Sequence, residues 1–172
     1  VLMAVFKCLL HRYSGQRDLL VGTPVANRER AELQAMVGLV VSSLVLRTSF
    51  EGDPSFRDYL RQVRDHCIAD FTHADVPFEW LVNTLGAVRR TDRNPLFQAV
   101  FTFHNTPDQD LLIEGLQVEP FGVSSASLRS RGNGTAKFDL SLSLRVSGDR
   151  LVGFMEYDAD LFRRETVESM SQ

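Results

Sequence analysis

The chain has 172 residues, of which 44% are hydrophobic and 24% charged, and its formal net charge is −3. This length and composition predict one soluble globular domain and exclude a disordered polyelectrolyte. The small negative charge and the absence of a basic block argue against a nucleic-acid partner, and no apolar run is long enough to span a membrane. Cys8 and Cys67 lack the spacing of a metal site and, without a secretion signal, predict reduced thiols in a cytoplasmic protein.

The first fifty residues predict a helix followed by two strands. Apolar residues recur at helical spacing from the start of the chain, and Gly15 suits the left-handed position that closes a helix. A short apolar strand over 18–26 follows, stopped by Pro24, and then a polar loop with one helical turn over 27–36. The β-branched stretch 37–50 predicts a strand buried on both faces.

Two helices and a further strand are predicted next. Asp53 as N-cap and Pro54 at the first helical position begin a long amphipathic helix. Pro77 begins a shorter helix that Gly86 closes. The stretch 95–105 predicts a strand with four inward residues, Phe97, Ala99, Phe101 and Phe103.

The last third of the chain contains the clearest strand signal. Residues 110–121 predict a weaker strand, and the Gly/Ser-rich stretch 122–136 is expected to be poorly ordered. Apolar and polar residues alternate over 138–146, and the turn "SGDR" leads into a second arm of a β-hairpin. A helix begins at the arginines of "RRETVESMSQ". The whole order predicts an α/β fold, a two-layer sandwich in which an open mixed β-sheet carries helices on one face.

Familiar catalytic motifs are absent from the sequence. It contains no phosphate-binding glycine loop, no G-x-S-x-G elbow and no histidine pair at metal spacing, so we predict no metal site. The stretch 73–82, "HADVPFEWLV", gathers His73, Asp75 and Glu79 around the start of a helix. We favour a structural interpretation over a His/Asp dyad, because acidic residues at a helix start meet the positive end of the helix dipole.

Three stretches together resemble the fifth, sixth and seventh core motifs of nonribosomal peptide synthetase condensation domains. They are "VGLVVSSLVLR" (37–47), "HADVPFE" (73–79) and "RRTDRNPL" (89–96), in the family's order and spacing. The stretches "LLVGTPVANR" (19–28) and "KFDLSLSL" (137–144) are also typical of that family. The resemblance covers essentially the whole chain.

The resemblance implies a lobe similar to chloramphenicol acetyltransferase. Residues 1–172 would be the C-terminal lobe of a V-shaped domain, truncated at both ends. In that family, two carrier domains bring thioesters on phosphopantetheine arms into a tunnel between the lobes, where an amine attacks the donor thioester and an amide forms. The family's His-His-x-x-x-Asp-Gly motif would lie upstream of Val1, so the chain is expected to contain no catalytic residue and to be inactive alone.

The implied partners are the N-terminal lobe, the donor and acceptor carrier domains and an adjacent adenylation domain, with no cofactor bound directly. The matching or departing positions form the candidate tunnel or structural set: Arg28, Gly38, Ser42, Ser43, Arg47, His73, Asp75, Pro77, Glu79, Arg93 and Asn94.

The Ser42-Ser43 pair and Arg47 leave alternatives open. Ser42 and Ser43 replace the family's Asn-Thr and lie on opposite faces of the predicted strand; they either line the tunnel or form local hydrogen bonds. Arg47, on a strand predicted to be buried, requires a carboxylate partner from this lobe or the other, such as the Asp of the absent motif. Arg28 is the rival candidate for that ion pair.

Three other functions compete with condensation. An epimerisation domain is a near relative, although the stretch "NPLFQAVFTFHN" (94–105) fits condensation better. A degenerate lobe that only docks carriers would explain the Ser42-Ser43 departure. A free-standing acyltransferase is the fourth possibility.

Overall fold

The computed structural model describes residues 1–28, 30–105, 115–116 and 135–172. Its elements, in chain order, are α1 (Leu2–Ser14), β1 (Asp18–Val25), α2 (Ala31–Gln34), β2 (Ser42–Ser49), α3 (Phe56–Phe71), α4 (Phe78–Thr84), β3 (Ala99–His104), β4 (Leu140–Ser147), β5 (Arg150–Tyr157) and α5 (Arg164–Met170). The predicted weak strand over 110–121 and the Gly/Ser-rich stretch over 122–136 lie almost wholly outside the described residues. In the described part of the chain, no helix is long and apolar enough to cross a membrane.

The five strands form one mixed sheet in the order β2-β1-β3-β4-β5. β1 pairs with β2 and β4 with β5 in antiparallel fashion, whereas β3 runs parallel to both β1 and β4. The parallel step from β1 to β3 passes through α3 and α4, as a crossover between parallel strands requires. The predicted open mixed sheet is confirmed.

Apolar side chains from alternate strand positions pack under the helices. Phe6 of α1 and Met170 of α5 form one buried cluster with Val21, Phe101 and Leu140, one residue from each of β1, β3 and β4. A second cluster joins α1 to α3 and contains Ala4, Tyr59 and Val63. The predicted sandwich of a sheet and a helix layer is therefore confirmed.

Helix α4 touches the opposite face of the sheet at one corner, which the sequence did not indicate. Side chains alternate along β1, so a Cβ on Gly22 would point away from the cluster around Val21. That Cβ would overlap the ring of Phe97, which shows that this ring covers Gly22 on the far face. Phe78 of α4 meets Phe97 edge-on, with ring centroids 5.7 Å apart.

The predicted start of α3 was wrong by two residues. Ser55, not Asp53, is the N-cap, and its hydroxyl accepts a hydrogen bond from the amide of Asp58 at 3.3 Å. Asp53 has a φ of 47°, in the left-handed region, and lies in the turn before the cap. Ser and Asp are both good capping residues, so sequence alone did not separate them. Pro77 is likewise the N-cap of α4 rather than its first helical residue.

The strand predicted over 37–50 is shorter and less buried than expected. β2 begins at Ser42, and Val37 and Leu39 are almost fully exposed ahead of it. Among the described residues β2 is an edge strand. The helices cover the side that carries Leu46 and Thr48, whereas Arg47 on the other side is exposed. The apolar run resembled a central strand because the composition of one strand says little about which strands lie beside it in the sheet.

Pro24 does not stop β1, which continues to Val25. Pro24 pairs in register with Ser43 of β2, whereas the ladder between β1 and β3 is confined to Val21 and Gly22. Proline has no amide hydrogen and cannot donate the hydrogen bond that a central strand position requires. Pro24 lies beyond the end of the ladder with β3, where that side of β1 is an edge, so the missing donor is tolerated.

Candidate functional site

The sheet face away from α1 and α5 contains a hollow that we call the sheet-face concavity. Its volume is about 320 Å³, within the range of small-molecule pockets. The strand register places lining residues of β3, β4 and β5 side by side, since Thr102 lies beside Ser143 and Ser143 lies beside Phe154. It is lined by Gly22, Thr23, Pro24, Val41, Ser43, Phe97, Val100, Thr102, Lys137, Phe138, Ser141, Ser143, Phe154 and Glu156.

The lining of the concavity combines aromatic rings with hydroxyl groups. The alternation Leu-Ser-Leu-Ser at the start of β4 sends the leucines under the helices and the two serines into the concavity. Among the described residues, Lys137 and Glu156 are its charged lining residues, and the Lys137 ammonium lies 5.5 Å from the centre of the Phe138 ring. Such a surface suits a largely uncharged ligand with amide or hydroxyl groups.

Only one serine of the Ser42-Ser43 pair faces the concavity. Ser43 lines it together with Val41, two residues away on the same face. Ser42 pairs with Val25 and belongs to the opposite, helix-facing side of the sheet. The predicted alternation of the two side chains is confirmed.

Arg47 is exposed rather than buried, contrary to the prediction. Its side chain is 73% exposed and forms a two-pronged ion pair with Asp18 of β1, with Nη2 2.8 Å from Oδ2 and Nε 3.0 Å from Oδ1. The hydrogen bonds from Arg47 lower the pKa of the Asp18 carboxyl group. The carboxylate partner thus comes from the neighbouring strand. The prediction of burial was wrong because Arg47 lies on the sheet face opposite to Leu46 and Thr48, whose side chains the helices cover.

Arg28 does not compete for a carboxylate among the described residues. Its guanidinium donates to the backbone carbonyls of Leu33 at 2.5 Å, Met36 at 2.7 Å and Gly38 at 3.3 Å. Arg28 therefore holds the turn after α2 in place, just ahead of the segment that carries Val41 into the concavity. Gly38 is exposed, and a Cβ there would meet no atom within 4 Å.

The cluster in the stretch 73–79 is a surface turn and a helix start. His73 and Asp75 are exposed, and within the described residues no hydrogen bond joins either of them to Glu79. Glu79 lies in the first turn of α4, as predicted, and pairs with Arg89 at 2.6 Å. The structure thus supports the structural interpretation over a catalytic dyad.

Asn94 shapes the entry into β3. Its side-chain oxygen accepts hydrogen bonds from the amides of Leu96 at 3.0 Å and Phe97 at 3.2 Å. This turn holds Phe97 before the strand begins at Ala99, so Phe97 lies on the concavity side and not with Phe101 as predicted. Phe103 is also partly exposed rather than inward.

Arg93 has a different setting from Asn94. Its guanidinium lies 3.8 Å from the carboxylate of Asp92, which is also held by Arg90 at 2.9 Å. The hydrogen bond from Arg90 lowers the pKa of Asp92. This charged group lies on the surface of the loop between α4 and β3.

Sequence reasoning missed a buried lysine. Lys7 of α1 is 1% exposed, and its ammonium donates to the carbonyl of Leu46 at 3.0 Å and to the Thr48 hydroxyl at 2.5 Å. Burial lowers its pKa from 10.5 to about 8, although Cys67 and Asp70 of α3 act in the opposite direction. A signal was available, since Lys7 lies three residues after the buried Ala4 on one helix face.

Other groups in the surroundings of Lys7 also have shifted pKa values. Burial raises the pKa of the Tyr59 hydroxyl and that of the Cys67 thiol. The Tyr59 hydroxyl has no hydrogen-bond partner within the described part of the chain. These groups stay neutral at pH 7, so Lys7 is the charged member of this part of the core.

Comparison with solved structures identifies the class of fold. The chain superposes on a four-domain nonribosomal peptide synthetase bound to AMP and glycine with a TM-score of 0.82, at 23% identity, over 98% of this chain and 13% of that one. The X-domain from teicoplanin biosynthesis matches with a TM-score of 0.81 at 25% identity, over 98% of this chain and 38% of that one. The predicted class, a lobe similar to chloramphenicol acetyltransferase, is confirmed.

The family follows from the sequence comparisons. The model of the Condensation domain family matches residues 1–172, and the chain belongs to that family. It is 42% identical over 167 residues to a linear gramicidin synthase of Brevibacillus parabrevis, covering 97% of this chain and 2% of the relative. It is 38% identical over 172 residues to a surfactin synthase of Bacillus subtilis (strain 168), covering 100% of this chain and 5% of the relative.

Proposed function

We propose that this chain provides one wall of a condensation site that joins carrier-bound aminoacyl or peptidyl thioesters into an amide. The observation that carries the proposal is the family match over the whole chain, combined with a concavity that contains Ser43 of the family's fifth motif. The chain spans 2% to 5% of the length of the gramicidin and surfactin synthases, so the complete reaction is the work of a longer polypeptide.

The lining of the concavity fits part of a phosphopantetheine arm. That arm is an uncharged chain with two amide groups beyond its phosphate, and the hydroxyls of Ser43, Ser141 and Ser143 offer both donors and acceptors. The rings of Phe97 and Phe138 offer apolar contact to its methylene groups. The arms belong to donor and acceptor carrier domains, which are partners in this proposal along with an adenylation domain and a second lobe.

The proposed reaction requires a base that this chain does not supply. The acceptor amine attacks the donor thioester carbonyl, a C–N bond forms, the C–S bond breaks, and the amine proton passes to the leaving thiol. The sequence contains no adjacent pair of histidines, and His73 is an exposed turn residue outside the concavity. We assign the proton-handling histidine to the His-His-x-x-x-Asp-Gly motif of the second lobe, in a cytoplasmic enzyme.

The test is amide formation by the complete condensation domain with two carrier-bound substrates. Ser43→Leu fills the concavity, and we expect kcat/KM to fall about tenfold, a loss of about 1.4 kcal/mol of transition-state stabilisation. Ser147→Leu is the matched control, because Ser147 lies at the end of β4 on the same sheet face but does not line the concavity. Equal rates for Ser43→Leu and the unaltered domain would refute the placement of the substrate.

A non-catalytic docking role is the second candidate. The X-domain of teicoplanin biosynthesis in its complex with OxyB is 26% identical to this chain, with a TM-score of 0.79. This function would give carrier binding without amide product. Epimerisation would instead exchange the α-hydrogen of a carrier-bound residue with solvent deuterium, so product analysis by mass spectrometry in D₂O separates the three functions.

A further inference from the structure

We propose that Lys7 is a positioning residue that fixes β2, and with it the wall of the concavity formed by Val41 and Ser43. The first part, the anchoring of β2, stands on the fold alone. The second part, its effect on turnover, rests on the proposed condensation function.

The geometry assigns Lys7 a specific partner strand. Its ammonium forms two hydrogen bonds, and both acceptors, the Leu46 carbonyl and the Thr48 hydroxyl, belong to β2. The side chains of Leu46 and Thr48 are themselves buried under the helices, at 1% exposure each. The Lys7 side chain thus links α1 to the segment 46–48 of β2.

β2 depends on such an anchor more than the central strands do. In the described part of the chain it has a strand neighbour on one side only, β1, whereas β3 and β4 have neighbours on both sides. A strand with a single neighbour can slide or peel away at smaller cost. Ser43 lies three residues before Leu46 on β2, so a displacement at Leu46 reaches the concavity directly.

Burial of a lysine costs free energy because its charge is removed from water, so its contacts in the core must offset that cost. Leucine or methionine at this position would pack the same core without removing a charge from water. The cost of burial at Lys7 is opposed by hydrogen bonds to two neutral acceptors and by the electrostatic interaction with Asp70. The two hydrogen bonds link the Lys7 ammonium directly to β2.

The experiment compares the complete condensation domain with its Lys7→Met, Thr48→Val and double variants by amide hydrogen exchange and steady-state kinetics. We expect Lys7→Met to accelerate exchange in residues 42–49 at least tenfold, with little change in β4. We expect the effects of the two substitutions on β2 exchange to be non-additive, because both remove the same hydrogen bond. Arg12→Met, which removes a surface charge from the same helix, is the control and should leave exchange unchanged.

The kinetic expectation is a rise in KM for a carrier-bound substrate of about five- to tenfold in Lys7→Met with little change in kcat, since binding geometry and not the base is disturbed. Faster exchange spread evenly over all five strands would overturn the anchoring role. Faster exchange confined to β2 with unaltered kinetics would overturn the link to the concavity. If the unaltered domain forms no amide, the proposed condensation function fails, and the exchange pattern still decides the anchoring of β2.

Discussion

The pKa of Lys7 leads to a quantitative prediction about stability and pH. In the folded chain this pKa is about 8, compared with 10.5 for a lysine in water, as in an unfolded chain. Between these values the unfolded state binds more protons than the folded state, so this group makes the chain more stable as the pH rises. From pH 7 to pH 9 the contribution is roughly 1 kcal/mol, and its limit above pH 10.5 is about 3 kcal/mol.

Lys7→Met isolates this contribution because methionine has similar length and no charge. We expect the free energy of unfolding of the unaltered chain, relative to Lys7→Met, to grow by roughly 1 kcal/mol between pH 7 and pH 9. The absolute difference at pH 7 is not the measured quantity, since the loss of two hydrogen bonds and the relief of a buried charge act in opposite directions.

The assay is urea unfolding of both proteins at pH 7, 8 and 9, followed by circular dichroism. The titrations of groups common to both proteins cancel in the difference, and the range ends at pH 9 because Cys67, whose own pKa is raised by burial, interacts with Lys7. A difference that is constant with pH would show that Lys7 keeps an ordinary pKa. A difference that shrinks as the pH rises would reverse the sign and refute the assignment of burial as the dominant cause.

Three further predictions concern the fold and use the same urea assay. Gly22→Ala should lower the free energy of unfolding by about 1–3 kcal/mol, because a methyl group there would overlap the ring of Phe97. Gly38→Ala is the control: its methyl group meets open space, and stability should change by less than about 0.5 kcal/mol. Ser55→Ala should lower the free energy of unfolding by about 1 kcal/mol, because it removes the N-cap of α3. Ser147→Ala, at an exposed strand end, should have little effect, and equal losses in the two variants would contradict the capping role of Ser55. Arg47→Ala should cause a small loss that disappears at about 1 M salt, because the ion pair is exposed and screened; a loss that persists at high salt would indicate another role.

The order of elements was predictable because each signal is local. Helical spacing in α1, the glycine that closes it with a φ of 69°, and the alternation that builds β4 all depend on residues within a few positions of one another. The hairpin between β4 and β5 also follows from its turn, where Gly148 has a φ of 59°.

Neighbour relations were not predictable from the same signals. Arg47 is exposed because it lies on the face of β2 that the helices leave uncovered, yet nothing in the apolar run of 37–46 shows that one face of this strand lacks a covering layer. The placement of Phe97 depends on a turn made by Asn94 and on the missing side chain of Gly22, 75 residues before it along the chain. Both are long-range properties, which local patterns do not encode.

The candidate site shows the same division. The alternation along β2 correctly separated Ser43 from Ser42, and the spacing around Pro77 correctly gave Glu79 a place in a first helical turn. Lys7 was missed because an isolated lysine on an amphipathic helix usually has its charge in water. Its burial becomes evident only when β2 and α3 are packed on either side of it.

All three motifs of the resemblance contribute to the concavity, either directly or through Phe97. The fifth motif supplies Ser43 to the concavity, and the seventh supplies Asn94, whose turn directs Phe97 into the same hollow. The sixth supplies Phe78, which packs edge-on against Phe97. Residues of the sixth and seventh motifs therefore influence the concavity by positioning Phe97, without contributing a reactive group. Because Phe97 lies in the space that a side chain at position 22 would fill, Gly22 is the position on which this arrangement depends.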